Sequence, residues 1–285
     1  MTSARSSRWA TNERPAGPPQ GAPATTRSRA AASRHRLCCR GGWGEGSPLS
    51  RQRVDGAPAF LLHAHPFSES SLVLDVFARD YGRLALLARG ARRPRSALRG
   101  VLLAFQPLEL GWFGGGEVKT LAKAEWIGGL PLLTGKCLLL GYYLNELLIK
   151  LTPREDAHPA LFDAYQAALL ALAHGATETA ELRRFEKTML KELGYGLALD
   201  READGSPVQA ERRYVYQIER GAVAAGDADA TTTLSGKTLL DLAADDYSDA
   251  RTLAESKALM RQLMAHYLGG QALQSRRIFV ELLEL

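Results

Sequence analysis

The chain has 285 residues, of which 46% are apolar, and a formal net charge of +5. This length predicts one or two domains with enough apolar content for a buried core. No apolar run approaches the roughly 18 residues that a membrane-spanning helix requires. The three cysteines, two of them adjacent, exclude a disulfide framework and suit a reducing cytoplasm.

Residues 1–53 differ in composition from the rest of the chain. They contain ten arginines, no lysine and two acidic residues, so the remaining 232 residues carry a net charge of −3. Few large apolar residues and abundant Ala, Gly, Ser and Pro predict a disordered segment. Two interpretations stay open: a basic arm that adds non-specific affinity for nucleic acid, or an over-extended gene start.

Five short apolar or alternating runs predict a β-rich region after this segment. They are Ala59–His65, Ser71–Ala78, Leu84–Ala88, Val101–Trp112 and Glu117–Trp126. Asp80-Tyr81-Gly82 and Gly114-Gly115-Gly116 supply turns between neighbouring strands. Five strands with no helix between them predict a small closed barrel of the OB type, and the strand count alone also allows an SH3-like barrel.

One connection in this region concentrates positive charge. The stretch Leu84 to Gly100, LALLARGARRPRSALRG, contains no acidic residue. Pro94 and the glycines keep it out of regular structure. Guanidinium groups present forked donors that match phosphate oxygens, so the loop predicts a place for a nucleic-acid backbone, with a solvated basic loop as the alternative. Its arginines are Arg89, Arg92, Arg93, Arg95 and Arg99.

The chain after Gly128-Gly129 has helical spacing. Predicted helices cover Leu138–Leu151, Pro159–Ala173, Glu178–Leu193, a short segment capped by Ser235, Asp249–Tyr267 and a last segment from Ser275 to the end. A hairpin is expected around Tyr214–Ile218. In the third helix Leu182 and Phe185 share the buried face, whereas Arg183, Lys187 and Lys191 are expected on the solvent-exposed face. The predicted fold class is α+β, a five-stranded barrel followed by a mainly helical domain.

Two motifs that would indicate other chemistry fail on their context. Ser235-Gly236-Lys237-Thr238 ends like a phosphate-binding loop, but position 231, where that loop needs glycine, is Thr231. His63 and His65 share one side of a predicted strand without a third metal ligand nearby, which favours surface histidines. No catalytic constellation is recognisable, so we expect neither an enzyme nor a bound cofactor or metal.

Several segments resemble the bacterial recombination mediator family RecO. The residues that carry the likeness are SESSLVLDVFARDYG (Ser68–Gly82), RGARRPRSALRG (Arg89–Gly100), LRRFEKTMLKELGY (Leu182–Tyr195) and YLGGQALQSRRIFVEL (Tyr267–Leu282). Together they extend over about Val54 to Leu285 in the family's order. The resemblance implies an OB-fold DNA-binding domain at 54–128 and a helical domain at 129–285, and it favours the over-extended start slightly over the basic arm.

The resemblance also implies site residues. The arginines of the loop become DNA-backbone contacts, and Arg83, Lys119 and Lys123 are further basic candidates on neighbouring strands. Tyr81, Phe105, Trp112 and Phe113 are candidates either for base stacking or for the barrel core. Arg183, Lys187, Lys191, Arg276 and Arg277 could bind the acidic C-terminal tail of the single-stranded DNA-binding protein SSB. Many members carry two Cys-x-x-Cys pairs, but this chain has no cysteine after Cys137, which implies a subfamily without zinc.

The implied function is that of a non-enzymatic mediator of DNA repair and recombination. Such a protein binds single- and double-stranded DNA, anneals complementary strands, and works with RecR to load RecA onto SSB-coated DNA. The alternative is a protein–protein adaptor with incidental DNA binding, which the net charge of −3 outside residues 1–53 supports.

Overall fold

The computed structural model describes residues 53–175, 178–226 and 233–283. Apart from Arg53, the predicted disorder of residues 1–53 lies outside the described residues. The barrel and the helices belong to one compact unit. None of the described helices is long and apolar enough to cross a membrane.

The first half is a closed five-stranded barrel. Its elements in chain order are β1 (Arg53–Pro66), β2 (Leu72–Ala78), β3 (Gly82–Ala88), α1 (Leu98–Val101), β4 (Pro107–Phe113) and β5 (Val118–Trp126). The strands close in the order β1-β2-β3-β5-β4. The β3–β5 pair is parallel and the other pairs are antiparallel. This confirms the predicted barrel, and the Greek-key order is that of an OB fold.

The predicted strand from Val101 to Trp112 is wrong in its first half. Val101 ends the short helix α1, and β4 begins only at Pro107. Phe105 has a φ of +63°, which no strand residue adopts. The apolar run around Val101 was misleading because Leu98, Val101 and Leu102 pack against the barrel core from outside the sheet.

Alternation along the strands divides the barrel between two cores. Leu74, Val76, Leu84 and Leu86 point inward with Trp112 and fill the barrel. On the outer side, Phe60, Leu62 and Phe77 belong to the core of the helical half. The barrel is therefore buried on one outer face as well as inside.

The second half is mainly helical, as predicted. Its elements are α2 (Gly135–Leu151), α3 (Pro159–Ala173), α4 (Glu178–Glu192), β6 (Arg213–Gln217), β7 (Gly221–Ala224), β8 (Thr233–Ser235), α5 (Gly236–Ala244), α6 (Ala250–Tyr267) and α7 (Gln274–Leu283). The predicted cap is confirmed, because the Ser235 hydroxyl accepts a hydrogen bond from the Thr238 amide at 3.1 Å.

The predicted hairpin is β6–β7, and β8 adds a third strand. Tyr214 and Tyr216 of β6 are buried in the helical core. In this chain, packed tyrosines therefore hold the segment in which other family members were expected to place zinc ligands.

Aromatic rings join the barrel to the helices. The Phe60 ring lies 5.3 Å from the Phe162 ring and 5.1 Å from the Tyr165 ring, both on α3. Asn145 of α2 donates a hydrogen bond to the Leu62 carbonyl at 2.9 Å, and the Tyr165 hydroxyl donates to Asn145 Oδ1 at 2.5 Å. This interface is packed like a domain interior.

The α2–α3 loop, residues 152–158, forms a second contact between the barrel and the helical half. Arg83 of β3 donates to the Thr152 carbonyl at 3.0 Å, and the Glu155 amide donates to the Arg83 carbonyl at 3.0 Å. Gly82 has a φ of +67°, and a Cβ there would lie 1.9 Å from the Asp156 carbonyl oxygen. Only glycine allows this approach.

Candidate nucleic-acid interface

The arginine loop, residues 89–99, follows β3 and runs into the first residues of α1, so that Arg99 lies in this short helix. The prediction that the stretch stays out of regular structure is wrong at Arg99 and Gly100, because Leu98 and Val101 of the same helical turn pack against the barrel core. Ala91 is only 1% exposed and packs into the barrel core, where it anchors the middle of the loop. Gly90 has a φ of +69°, and its carbonyl accepts a hydrogen bond from the Arg93 amide at 3.1 Å in a tight turn. The buried alanine and the turn leave the arginines on the outside.

Arg92 ties this loop to the β1–β2 loop, residues 67–71. Its amide donates to the Ser70 carbonyl at 2.9 Å, and its Nη1 donates to the Ser68 carbonyl at 2.9 Å. The β1–β2 loop and the neighbouring strands are where OB folds bind oligonucleotides. The structure therefore sets the arginine loop directly against the usual ligand face of the fold.

The positive charge of the arginine loop is not neutralised. Arg89, Arg92, Arg93, Arg95 and Arg99 are all exposed, and none forms an ion pair with another residue in the described ranges. By contrast, Arg79, which follows β2, forms a bidentate salt bridge with Asp163. Its Nε donates to Oδ1 at 3.1 Å and its Nη2 donates to Oδ2 at 2.9 Å. The one acidic residue of the tethered β1–β2 loop is Glu69.

Phe67 is an exposed aromatic residue that is not among the predicted stacking residues. It lies at the start of the β1–β2 loop and is 67% exposed. A phenylalanine this open next to arginines is a platform on which a base can stack. Its position after Pro66 at a strand end was the available signal. Of the predicted stacking residues, Phe105 and Trp112 are buried, and Tyr81 packs edge-on against Trp112 with ring centroids 5.1 Å apart.

The three further basic candidates lie apart from the arginine loop. Arg83 is mostly buried and binds the Thr152 carbonyl. Lys119 is buried, and its Nζ lies 2.5 Å from Glu155. Lys123 is exposed on β5, but it pairs with Glu125 at 2.9 Å, and this contact raises the pKa of its ammonium group. Arg83 and Lys119 hold the α2–α3 loop on the barrel rather than face solvent.

A second basic region lies in the helical half. Residues of helices α2, α4, α6 and α7 line a pocket that is open to solvent and has a volume of about 570 Å³. Its apolar lining includes Leu139, Leu182, Met264, Leu268 and Phe279. Lys257, Arg261 and Arg276 line it as well, without a carboxylate partner in the described part of the chain. Lys136 also lines the pocket and pairs with Glu178.

Of the five predicted partner-binding residues, Arg183 and Arg276 line this pocket, whereas Lys187, Lys191 and Arg277 do not. The expectation that Arg183 faces solvent is wrong: it is 6% exposed, and its Nη2 contacts Glu186 at 2.6 Å in the pocket wall. Lys187 turns away to the Leu242 carbonyl, at 2.7 Å, and Lys191 is exposed elsewhere on α4. Arg276 lines the pocket, whereas its neighbour Arg277 lies outside the lining and pairs with Glu281 at 3.5 Å.

Lys257 and Arg261 line the pocket but are not among the predicted partner-binding residues, although their spacing in the sequence indicates a shared helix face. They stand four residues apart on α6 and continue into Met264, Ala265 and Leu268, all of which line the pocket. A helix face that mixes two bases with apolar residues at i, i+4, i+7 is the pattern that would have found it.

A buried charged pair lies in the pocket wall. Both the Tyr143 hydroxyl, at 2.5 Å, and Arg183 donate to Glu186 Oε1. Burial raises the pKa of the Glu186 carboxyl, although Arg183 opposes this, and burial also raises the pKa of the Tyr143 phenol. In the described residues, no group of three or more His, Cys, Asp or Glu residues is arranged to hold a metal.

Comparison with known proteins decides the family. The profile Recombination protein O N terminal matches residues 56–130, and Recombination protein O C terminal matches residues 134–277. The chain belongs to the RecO family. The resemblance drawn from the sequence is thereby confirmed, as are the OB-fold barrel and the helical half that it implied.

The curated relatives agree over nearly their whole length. The DNA repair protein RecO of Aromatoleum aromaticum is 60% identical over 237 residues, which is 82% of this chain and 99% of that protein. That of Dechloromonas aromatica is 57% identical over 239 residues, with the same coverage. That of Ralstonia nicotianae is 50% identical over 245 residues, 85% of this chain and 90% of that protein. Membership of the RecO family gives the protein a role in DNA repair.

Proposed function

We propose that this RecO-family protein binds single- and double-stranded DNA through the arginine loop and anneals complementary strands. The observation that carries the proposal is a tethered loop with five exposed arginines and no ion-pair partner in the described chain, placed on an OB barrel. Because no carboxylate of the described residues pairs with these guanidinium groups, phosphate oxygens are suitable ligands for them.

Annealing follows from charge neutralisation. Two DNA strands repel each other through their phosphates, and bound arginines lower that repulsion while they release condensed counterions. A loop whose shape is fixed by Arg92 and Ala91 presents its charges without first becoming ordered, so little entropy is lost on binding. Phe67 supplies a stacking surface for an unpaired base at the edge of the loop.

The test reverses three charges of the loop and spares the tether. In the full chain, Arg93→Glu, Arg95→Glu and Arg99→Glu together are expected to lower the affinity for labelled single-stranded DNA about 100-fold and to abolish annealing. The slope of log affinity against log salt should fall by about 2, because roughly 0.7 is lost for each phosphate contact on a single strand.

Arg201→Glu with Arg220→Glu is the matched control, since both arginines are exposed in the helical half without an ion pair in the described residues. This control should anneal like the wild type. Wild-type annealing by the loop variant, with its thermal melt unchanged, would contradict the proposal.

The basic pocket supports a second part of the proposed function. Its apolar lining and its three bases, which have no carboxylate partner among the described residues, fit a short acidic peptide that ends in an apolar side chain. We propose the C-terminal tail of SSB as that peptide. We also propose RecR as a partner and the loading of RecA as the outcome, as the resemblance to the RecO family implies. The protein would act as a non-enzymatic mediator in the cytoplasm, close to the chromosome.

A labelled peptide with the SSB tail sequence tests the pocket. Arg261→Glu with Arg276→Glu should weaken its binding at least tenfold and leave DNA affinity within twofold of wild type. Arg277→Glu is the control, because Arg277 adjoins Arg276 but lies outside the pocket. If the control loses as much peptide affinity as the double variant, or if the double variant loses none, the SSB tail does not bind in this pocket.

The pocket also favours a competing proposal, an adaptor whose DNA binding is incidental. The salt titration separates the two. A DNA affinity that falls steeply with salt in the wild type and becomes shallow in the loop variant identifies a dedicated DNA site. A shallow slope in both proteins would favour the adaptor.

A further inference from the structure

The outer face of β1 to β3, next to the arginine loop, carries a second group of positive side chains. A bulge in β1 between Leu61 and His63 shifts the register, so that His63 lies opposite Asp75 and His65 opposite Val73. Leu62 packs outward into the helical core, and both histidines after the bulge are exposed on the same side. Their ring centroids are 4.1 Å apart. Bulges commonly re-aim side chains in this way at functional sites.

Asp75 of β2 is the one carboxylate within this group, and three basic side chains share it. Arg154 Nη2 lies 3.0 Å from Asp75 Oδ1, and Arg83 Nη1 lies 3.7 Å from the same oxygen. His65 Nε2 lies 3.3 Å from Oδ2. Two guanidinium groups against one carboxylate leave an excess of positive charge before either histidine is protonated.

The exposed members of the group come from both halves of the chain. Arg83 and Asp75 are nearly buried, but the side chains of His65 and Arg154 are 52% and 45% exposed. Arg154 belongs to the α2–α3 loop, which runs parallel to β3 at Arg83 as a short bridge. The helical half thus places a guanidinium on the barrel's ligand face.

The group is continuous with the arginine loop. His65 is two residues before Phe67, where the β1–β2 loop that holds Arg92 begins. Across the sheet, His65 pairs with Val73 and Val73 with Leu87, two residues before Arg89. Two residues of strand span about 7 Å. A polymer that lies on the arginine loop can therefore continue onto this face.

We infer that His63, His65 and Arg154 form a second phosphate-binding station for the DNA strand, and that its affinity rises as the pH falls. This rests on the proposed function, because the strand is the one held by the arginine loop. A phosphate there would compete with Asp75 for Arg154.

The charged groups that face the histidines fix the sign of the pH dependence. They are Asp75 on β2, Arg83 on β3 and Arg154 on the α2–α3 loop, with the Lys119–Glu155 pair beyond them. Partial burial and the His65 imidazole lower the pKa of His63, while Asp75 acts in the opposite direction. Burial therefore disfavours the charged form of the His63 imidazole, and a bound phosphate would favour that form.

The experiment measures the affinity of the full chain for labelled oligo(dT) at about pH 8 and about pH 6. Wild type is expected to bind about tenfold tighter at the lower pH, and His63→Gln with His65→Gln should remove most of that gain. Arg154→Gln should weaken binding several-fold at both pH values. His266→Gln, an exposed histidine on α6, is the control and should behave like wild type.

The outcomes separate this inference from the proposed function. If the double histidine variant keeps the full pH dependence, or Arg154→Gln binds like wild type, the second station is wrong while the arginine loop can still be the DNA site. If the loop variant with three glutamates binds DNA like wild type, the proposed function fails. Thermal melts of each variant at both pH values show whether a loss of affinity reflects unfolding.

Discussion

The barrel's arginine loop and the helical pocket are both basic, but their chemistry differs. The loop presents five guanidinium groups on an exposed turn with one open aromatic residue beside it. The pocket arranges three bases around a cavity of about 570 Å³ with apolar walls. Charge without shape suits a polymer of any sequence, whereas charge around a cavity suits a peptide end with a particular side chain.

The difference shows that a count of basic residues is a poor guide to a site. Arg83, Lys119 and Arg183 are buried and paired, and they hold the structure together. The arginines of the loop are distinguished by their lack of a carboxylate partner in the described chain. Both surfaces nevertheless lie on one compact unit, so a defect in the shared core should affect both.

The largest expected effect comes from that shared core. Phe77 is fully buried, and its ring lies 5.6 Å from the Phe162 ring of α3. Phe77→Ala should lower the free energy of unfolding by about 3–5 kcal/mol. Urea denaturation followed by far-UV circular dichroism and by tryptophan fluorescence should give coincident transitions in wild type and variant. Phe67→Ala, at an exposed position, should change stability by less than about 0.5 kcal/mol.

Separate transitions by circular dichroism, which follows the helices, and by tryptophan fluorescence, to which Trp112 of the barrel core contributes, would contradict this prediction. They would make the two basic surfaces parts of two independent domains, at the boundary near residue 128 that the sequence predicts.

A smaller effect is expected at the second junction. Gly82→Ala forces a Cβ against the Asp156 carbonyl at a positive φ, and it should cost about 2 kcal/mol or more. Gly100→Ala is the contrast, because Gly100 lies in α1 with no atom within 4 Å of the new Cβ, so its stability should be equal or slightly higher. Thermal unfolding of both variants measures the difference. A wild-type melting temperature for Gly82→Ala would mean that the α2–α3 loop is not held on the barrel.

The smallest expected effect is a pH dependence of the free energy of unfolding that comes from Glu186 in the pocket wall. Because burial raises the pKa of Glu186 in the folded state, its stabilising contribution is complete below the unfolded pKa of about 4.3 and is lost as the pH rises through the folded pKa. Glu186→Gln stays neutral, so its stability relative to wild type should increase with pH across that window. Urea titrations at several pH values measure this, with the exposed Glu211→Gln as control. A constant difference between Glu186→Gln and wild type would show that Glu186 is ionised throughout.

Much of the fold follows from local patterns in the sequence. Alternation along β2 and β3, the turn residues around Tyr81, and the Pro159 and Ser235 helix starts are short-range signals, and the elements lie where these signals predict. The failure at Val101 has a tertiary cause. An apolar segment that packs against the barrel core from outside the sheet has the same composition as a strand, and only the folded barrel shows the difference.

The candidate site was predictable where it is local. The arginine loop could be found because its charges are consecutive and its acids are absent. The pocket as a whole could not, since its lining comes from four helices that are far apart in sequence, although the spacing of Lys257 and Arg261 marks the face that α6 contributes. Nor could the pairing of Lys119 with Glu155, 36 residues away, which removes that lysine from solvent.

The contact between Arg92 and the β1–β2 loop has a consequence for how these loops can change over time. Both acceptors, at Ser68 and Ser70, are main-chain carbonyls, which every amino acid possesses. The β1–β2 loop can therefore accumulate substitutions at positions 68 and 70 without releasing the arginine loop. Arg92 has less freedom, because its side chain provides the donor to the Ser68 carbonyl, whereas the donor to the Ser70 carbonyl is its main-chain amide. Among descendants of this protein, we therefore expect positions 68 and 70 of the β1–β2 loop to vary more than position 92 of the arginine loop.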